Sequence, residues 1–243
     1  MNPLEPQIRA AVRQFWLTRH TQLRAQGAKT NTKDAGDRAA VTGGKQMDGF
    51  VDLLCRLLNE SGIPDTCVYR NRRVELPGWF RAEKQWDLIV KVADQLVGVM
   101  ELKSQIGPSF GNNFNNRTEE ALGSATDLKA AFREGAFRPS PRPFVGYLML
   151  LEDCEESRRP IGVQEPHFKI FPEFRDASYA KRYELLLLKL IRDQLYDASA
   201  LLLSPRDAAH MGGYREPNPE LSFANLATAL VGRAVAAKVK LLT

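Results

Sequence analysis

Near residue 67 the hydrophobic period of this chain changes, and the order of the two periods sets its fold class. Ahead of that point apolar residues recur at helical spacing. Ile8, Val12, Phe15, Trp16 and Leu23 mark an amphipathic helix over 5–26. Phe50, Val51, Leu54, Leu57 and Leu58 mark a second over 46–60, stopped by Ser61-Gly62-Ile63-Pro64. Residues 27–46, rich in Gly, Thr, Asn, Lys and Asp, read as an exposed loop. Beyond residue 67 the spacing is that of strands. Extended signals surround an Arg70-Asn71-Arg72-Arg73 cluster over 67–76, and Pro77-Gly78 marks a turn. The β-rich segments 86–92 and 96–104 are joined by Ala93-Asp94-Gln95, a hairpin connection. A polar, Gly- and Asn-rich loop is expected over 105–116, a helix over 117–133 and a strongly apolar, buried strand over 144–151. A loop of about 20 residues, a helix over 179–196, a short strand over 200–204 and a last helix over 221–240 complete the reading. This order predicts a mixed α/β (α+β) fold, with one central mixed sheet, a hairpin within it and flanking helices. No composition shift marks a boundary, so residues 1–243 are expected to form a single domain.

Composition excludes more than it identifies. Apolar residues, 44% of the chain, suffice for a core, and 34 basic against 29 acidic residues leave a net charge of +5. That excess is too mild to name an anionic partner. Cys55, Cys67 and Cys154 are an odd set without CxxC spacing, which argues against a disulfide framework or a zinc site and suits a reducing cytoplasm. The amino terminus lacks a basic stretch followed by an apolar one, and no apolar run approaches the ~18–20 residues that cross a bilayer. A cytoplasmic protein is expected.

The chemistry concentrates in Trp86-Asp87-Leu88-Ile89-Val90 and Gly98-Val99-Met100-Glu101-Leu102-Lys103-Ser104-Gln105. Strand side chains alternate faces, so Glu101 and Lys103 share a face with Val99 and Gln105, while Met100 and Leu102 point the other way. About a turn centred near Asp94, Asp87 and Glu101 fall opposite each other, where Cβ atoms stand about 4.5–5.5 Å apart. Two carboxylates and an ammonium then converge. Like charges repel unless a cation lies between them, and hard oxygen ligands with open water positions suit Mg²⁺. Such an ion polarises a phosphoryl oxygen and activates a bound water. Lys103 would position or deprotonate that water and stabilise charge developing on phosphorus. The competing reading is a charged strand edge that blocks aggregation. A second acid-x-Lys triplet, Asp127-Leu128-Lys129, lies in a helical pattern, where positions two apart cannot converge.

Asp87 followed by Glu101-Leu102-Lys103 looks like the PD-(D/E)xK nuclease signature, with Trp86 standing where that pattern has Pro. The longer string Glu101-Leu102-Lys103-Ser104-Gln105, continued by Gly107-Pro108-Ser109-Phe110-Gly111-Asn112-Asn113-Phe114-Asn115-Asn116-Arg117, resembles the XhoI family of type II restriction endonucleases. The resemblance implies a restriction-endonuclease-like fold and Mg²⁺-dependent hydrolysis of double-stranded DNA. It further implies cutting of the palindrome CTCGAG after its first C, with 5′-protruding TCGA ends and 5′-phosphate products. A homodimer is implied too, and a companion DNA methyltransferase that acts on the same site without a stable complex. The alternatives are a PD-(D/E)xK nuclease of DNA repair or recombination with little sequence preference, and a non-catalytic DNA-binding protein.

Further candidates surround this centre. Asp48 and Asp52 lie four apart on the second helix, with Arg56 on the same stripe. Asp48 is the favoured extra metal ligand, set against an Asp52–Arg56 ion pair on a solvated face. Asn112, Asn113, Asn115, Asn116 and Arg117 carry the groups that read adenine and guanine edges, although Asn also suits turns. Arg70, Arg72 and Arg73 are candidates for phosphates, and Arg158 and Arg159, in the long loop, for the DNA grooves.

Overall fold

The apolar segment at 144–151 becomes the centre of the molecule. The computed structural model describes residues 3–27 and 44–240. Helices α1 (Glu5–Gly27) and α2 (Asp48–Glu60) come first. Strands β1 (Val68–Tyr69), β2 (Glu75–Pro77), β3 (Glu83–Gln85), β4 (Leu88–Val92) and β5 (Gln95–Gln105) follow. Then come helix α3 (Phe110–Arg133), strand β6 (Phe144–Glu152), the short helix α4 (Glu155–Arg158) and helix α5 (Tyr179–Arg192). Strand β7 (Ala198–Ser204) and helix α6 (Phe223–Lys240) complete the described chain.

The five-stranded sheet has the order β1-β4-β5-β6-β7. β4 pairs antiparallel with β1 and β5, whereas β5–β6 and β6–β7 are parallel. β2 and β3 form a separate two-stranded ribbon. A parallel strand needs helices over both faces, and every residue of β6 is buried. On one face Leu88, Met100, Leu102, Leu148 and Leu202 pack against Phe15 and Trp16 of α1, Phe50 and Leu54 of α2, and Phe223 and Leu230 of α6. On the other, Ile89, Val99, Met149, Leu151 and Leu201 meet Ala121 and Leu128 of α3 and Tyr183 and Leu187 of α5. Burial of one such side chain contributes about 1.5–3 kcal/mol. The result is an α/β/α sandwich. Crossovers through α3 and α5 put both helices on one face, as two right-handed connections stepping the same way across a sheet must. On the opposite face, Gly146 of β6 allows a close approach: a Cβ would stand 2.2 Å from the Met100 sulfur.

The expected loop over 105–116 is corrected, because α3 begins at Phe110 and takes in Asn112, Asn113, Asn115, Asn116 and Arg117. Asn disfavours helix interiors, but by less than about 0.7 kcal/mol per residue. Phe110 and Phe114, one turn apart, offset that cost. Phe110 stacks on Tyr179 at 5.7 Å and Phe114 meets Tyr183 edge-on at 5.0 Å. The long loop after β6 holds α4 and a 3-10 turn at Pro172–Phe174, so Arg158 ends a helix. Of the loop expected over 27–46, residues 28–43 lie outside those described. Among the described residues, no helix is long and apolar enough to cross a membrane.

Candidate active site

The β4–β5 hairpin sets the register of the site. Its turn pairs Val92 with Gln95 and Lys91 with Leu96, but beyond a bulge Val90 pairs with Gly98 and Leu88 with Met100. Val97 is the extra residue. Continued without the bulge, the turn's register would bring Asp87 opposite Met100, on the apolar face. With it, Asp87 lies opposite Glu101, one step beyond the last ladder pair. Two hydrogen bonds hold it there: Asp87 N–H donates to the Met100 carbonyl at 3.1 Å, and Leu102 N–H donates to Asp87 Oδ2 at 2.6 Å.

Glu101 and Lys103 emerge on that face from the middle strand of the sheet. The aggregation-guard reading therefore fails, because β5 has partners on both sides. Glu101 is 4% exposed and is held by two ammonium groups. Lys103 Nζ lies 2.5 Å from Oε1, and Lys84 Nζ lies 2.7 Å from Oε2. Lys84, from the β2–β3 ribbon, was not legible in sequence. It sits over the Trp86 ring, 4.6 Å from the ring centroid, so the Trp in the signature's Pro position steers a second cation onto Glu101.

The charges divide unequally. Burial alone would push the Glu101 carboxyl up, but Lys103 and Lys84 outweigh it and hold the group below its ordinary value. Burial would lower the Lys103 ammonium, yet Glu101 and then Asp87 hold it above its ordinary value. Asp87 behaves differently. Burial, followed by the Glu101 charge, pushes it up to about 6 against the opposing Leu102 N–H and the two lysines. One acid is a fixed anion and its neighbour resists ionising.

Asp87 and Lys103 open into a cleft of about 640 Å³, bordered also by Arg19, Gln46, Ser104, Gln105, Gly107, Asn113 and Arg117. Gln105 is fixed structurally: its amide donates to the Phe110 carbonyl at 2.9 Å and its oxygen accepts from the Tyr183 hydroxyl. Helical spacing puts Asn113 and Arg117 on the cleft side, whereas Asn112, Asn115 and Asn116 are exposed and do not border it. Arg117 pairs with Glu120 at 2.6 Å.

The remaining sequence candidates lie elsewhere. Asp48 occupies the first turn of α2 and does not border the cleft, although Gln46 and Met47 just ahead of it do. Asp52 pairs with Arg70 rather than Arg56, which ties down one of the expected phosphate ligands. Arg73 borders a separate hollow with Tyr69, Lys91 and Arg138, and Arg72 is exposed beside it. Arg158 lies 3.6 Å from Asp153 and donates to the Cys154 carbonyl, while Arg159 is exposed. Sequence reading also missed Arg19, on α1, which carried no motif.

For a divalent ion the donor set fits in kind: two carboxylates on paired strands, Asp87, the one short of a counter-charge, bordering a polar cleft, and Glu101 buried beside it under Lys84 and Lys103. Among the described residues no group of three or more His, Cys, Asp or Glu side chains gathers around a common point. An ion at Asp87 and Glu101 would therefore complete its shell from water and substrate oxygens, as Mg²⁺ habitually does.

An acid pair with a lysine on a central strand, beside a polar cleft, is a donor set that can serve metal-assisted hydrolysis of a phosphodiester. Comparison with known proteins narrows the class. Residues 26–216 match the family described as restriction endonuclease XhoI. The type II restriction enzyme BstVI of Geobacillus stearothermophilus is 55% identical over 196 residues, 79% of this chain and 88% of that protein. The type II restriction enzyme XhoI of Xanthomonas vasicola is 43% identical over 199 residues, 81% of this chain and 79% of the relative. The type II restriction enzyme AbrI of Azospirillum brasilense is 46% identical over 166 residues, 68% and 74% of the two chains. No solved structure matches. The chain belongs to the XhoI family of type II restriction endonucleases.

Proposed function

We propose that this endonuclease hydrolyses double-stranded DNA with Mg²⁺ held by Asp87 and Glu101, and that Lys103 is its catalytic lysine. The observation that carries the reading is the pairing of Asp87 with Glu101 across the bulged hairpin, with Lys103 on the same face and a cleft in front. Mg²⁺ would supply Lewis acidity toward a phosphoryl oxygen and a more acidic bound water. Glu101 stays ionised because two lysines neutralise it. Asp87 becomes a ligand once it gives up its proton. Lys103, whose ammonium is favoured by both acids, donates to the phosphate oxygen that gains charge in the transition state. Asp48 is a further candidate for a water-mediated contact to the ion.

The target we propose is CTCGAG, cut after the first C to leave 5′-protruding TCGA ends and 5′-phosphates. What supports it is the run from Glu101 to Arg117 together with relatives of this family. Asn113 and Arg117, on the cleft side of α3, come first as base or phosphate contacts. The exposed Asn112, Asn115 and Asn116 follow, with Arg70, Arg72, Arg73, Arg158 and Arg159 as more distant phosphate or groove contacts. A two-fold symmetric target calls for a homodimer with one such site on each strand. A companion methyltransferase would protect the same sequence, and the cytoplasm is the compartment where both would act.

Incubation of the purified protein with DNA of known sequence, with Mg²⁺ and with EDTA, tests the reading. Discrete fragments whose ends map to CTCGAG, formed only with the metal, are expected. A smear would point to a nuclease without this preference. Retarded DNA without cutting would remove the catalytic assignment.

A further inference from the structure

The cleft in front of Asp87 and Lys103 is bordered from the other layer of the sandwich by Arg19 of α1. Of its cations, Lys103 is held by Glu101 and Arg117 by Glu120. Arg19 differs: among the described residues it makes no ion pair or hydrogen bond, and its Nε is buried without a partner. The acid nearest in charge, Glu152, is already taken. Arg206 donates to its two oxygens at 2.8 and 2.9 Å, and Gly107 N–H donates to Oε2 at 2.8 Å. Burial, and after it the like charge of Arg206, disfavours the ionised state of Arg19, against the partial attraction of Glu152.

The placement of Arg19 is rigid. One turn earlier on α1, Trp16 is 1% exposed and its indole N–H donates to Ser204 Oγ at 2.9 Å, at the end of β7. Phe15 beside it is wholly buried. The helix cannot roll without breaking this anchor. A guanidinium that is half-buried, unpaired and repelled costs the folded protein stability, a cost that an anionic ligand in the cleft would offset.

We infer that Arg19 is an anion subsite of the cleft, which holds a phosphodiester oxygen of the bound DNA beside the one being cut. The inference rests on the nuclease reading above and deepens it. It concerns a residue ahead of 26–216, the stretch the family model matches. Arg19 acts by binding and positioning. It does not touch the reacting atoms, so its removal weakens DNA binding and raises KM more than it lowers kcat.

Arg19→Met keeps the length of the stem and removes the charge; Arg19→Lys restores a charge without the fork; Arg13→Met, at an exposed position of α1, is the control. Binding of a labelled CTCGAG duplex is measured by anisotropy in EDTA across a range of salt, and thermal melting is followed without DNA. Arg19→Met is expected to bind about tenfold or more weakly at low salt. Its slope of log K against log salt should fall by about 0.9 per protomer, because one fewer phosphate is neutralised. Its Tm should be unchanged or higher, Arg19→Lys should recover part of the affinity, and Arg13→Met should match wild type. An unaltered salt slope in Arg19→Met, while wild type binds and cuts, overturns the subsite and leaves the nuclease reading standing. Loss of the fold in both Arg19 variants also overturns it, since an arginine that serves a ligand is dispensable to packing. Wild type that neither binds nor cuts DNA removes both readings together.

Discussion

Two triplets in this chain have the same chemistry and do opposite things. Glu101-Leu102-Lys103 lies on β5, where side chains two apart share a face, and its acid and ammonium meet at 2.5 Å beside Asp87. Asp127-Leu128-Lys129 lies on α3, where the same spacing sends the ends around the helix. Asp127 is 2% exposed and turns to the β2–β3 ribbon. It accepts the backbone N–H groups of Trp79 and Phe80 and the Arg81 guanidinium, each at 2.8 Å. The fit at that turn is tight, since a Cβ on Gly78 would stand 2.5 Å from Asp127 Oδ2. Residue spacing has no chemical meaning until the backbone period is known. One triplet faces a cleft; the other clasps a turn.

Substitutions should separate the two triplets by what they damage. The largest effect is expected for Asp87→Asn and Glu101→Gln, which remove the proposed metal ligands. An ion that contributes several kcal/mol to the transition state corresponds to more than about 10³-fold in cleavage rate. Cleavage within tenfold of wild type in either variant would dismantle the strand triplet as the catalytic one. Lys103→Ala follows, with kcat reduced about 10²–10³-fold and little change in DNA affinity, as expected for a donor that matters mainly in the transition state. An unchanged kcat with weakened binding would recast it as a phosphate contact.

Next in size is a stability effect of opposite sign in the two triplets. Asp87 ionises at about 6 in the folded protein against an ordinary value of 3.8. Below the ordinary value it is protonated in both states and costs nothing. Between 3.8 and about 6 the unfolded chain ionises while the folded protein stays protonated, so stability falls across that window by an amount on the order of 3 kcal/mol and stays lower above it. In EDTA at pH 8, Asp87→Asn should therefore melt higher than wild type, with the gain vanishing near pH 4. A lower Tm at pH 8 would contradict the crowding of charge at Asp87. The same ionisation predicts that wild-type cleavage rises with pH through about 6. Asp127→Ala should instead melt lower, by about 1–3 kcal/mol of stability, because it strips a buried acceptor from three donors. Its cleavage rate per folded molecule should stay within about tenfold, since the damage lies in an interaction remote from the reacting atoms. The smallest effect is expected for Lys129→Ala, within about 0.5 kcal/mol in stability and with normal cleavage, since a partly exposed lysine without a bonded partner among the described residues contributes little.

Much of this architecture follows from local pattern. Alternation over 96–104 put Glu101 and Lys103 on one face and Met100 and Leu102 on the other, whereas the match of Asp87 to Glu101, counted as seven positions either side of Asp94, is reached only through the bulge at Val97, which the count did not foresee. The unbroken apolar run at 144–151 announced a strand buried on both faces. These features depend on the period of the backbone, which side-chain polarity prints directly into the order of residues. Where local propensity and tertiary burial disagree, the chain cannot be read so simply. Four asparagines near Arg117 carry a loop's composition, and only the seating of Phe110 and Phe114 on Tyr179 and Tyr183 makes them helical.

Contacts between distant segments were not legible at all. Lys84 reaches Glu101 through the placement of a separate ribbon, and Arg70 takes Asp52 from its helical neighbour. Arg19 enters the cleft because Trp16 is pinned to the far end of β7. None of these partners has a fixed spacing in the chain. Periodicity reports which side of its own element a residue occupies, since that is geometry within a few bonds. Which element then lies opposite is settled by how whole layers pack, and no local pattern carries that information.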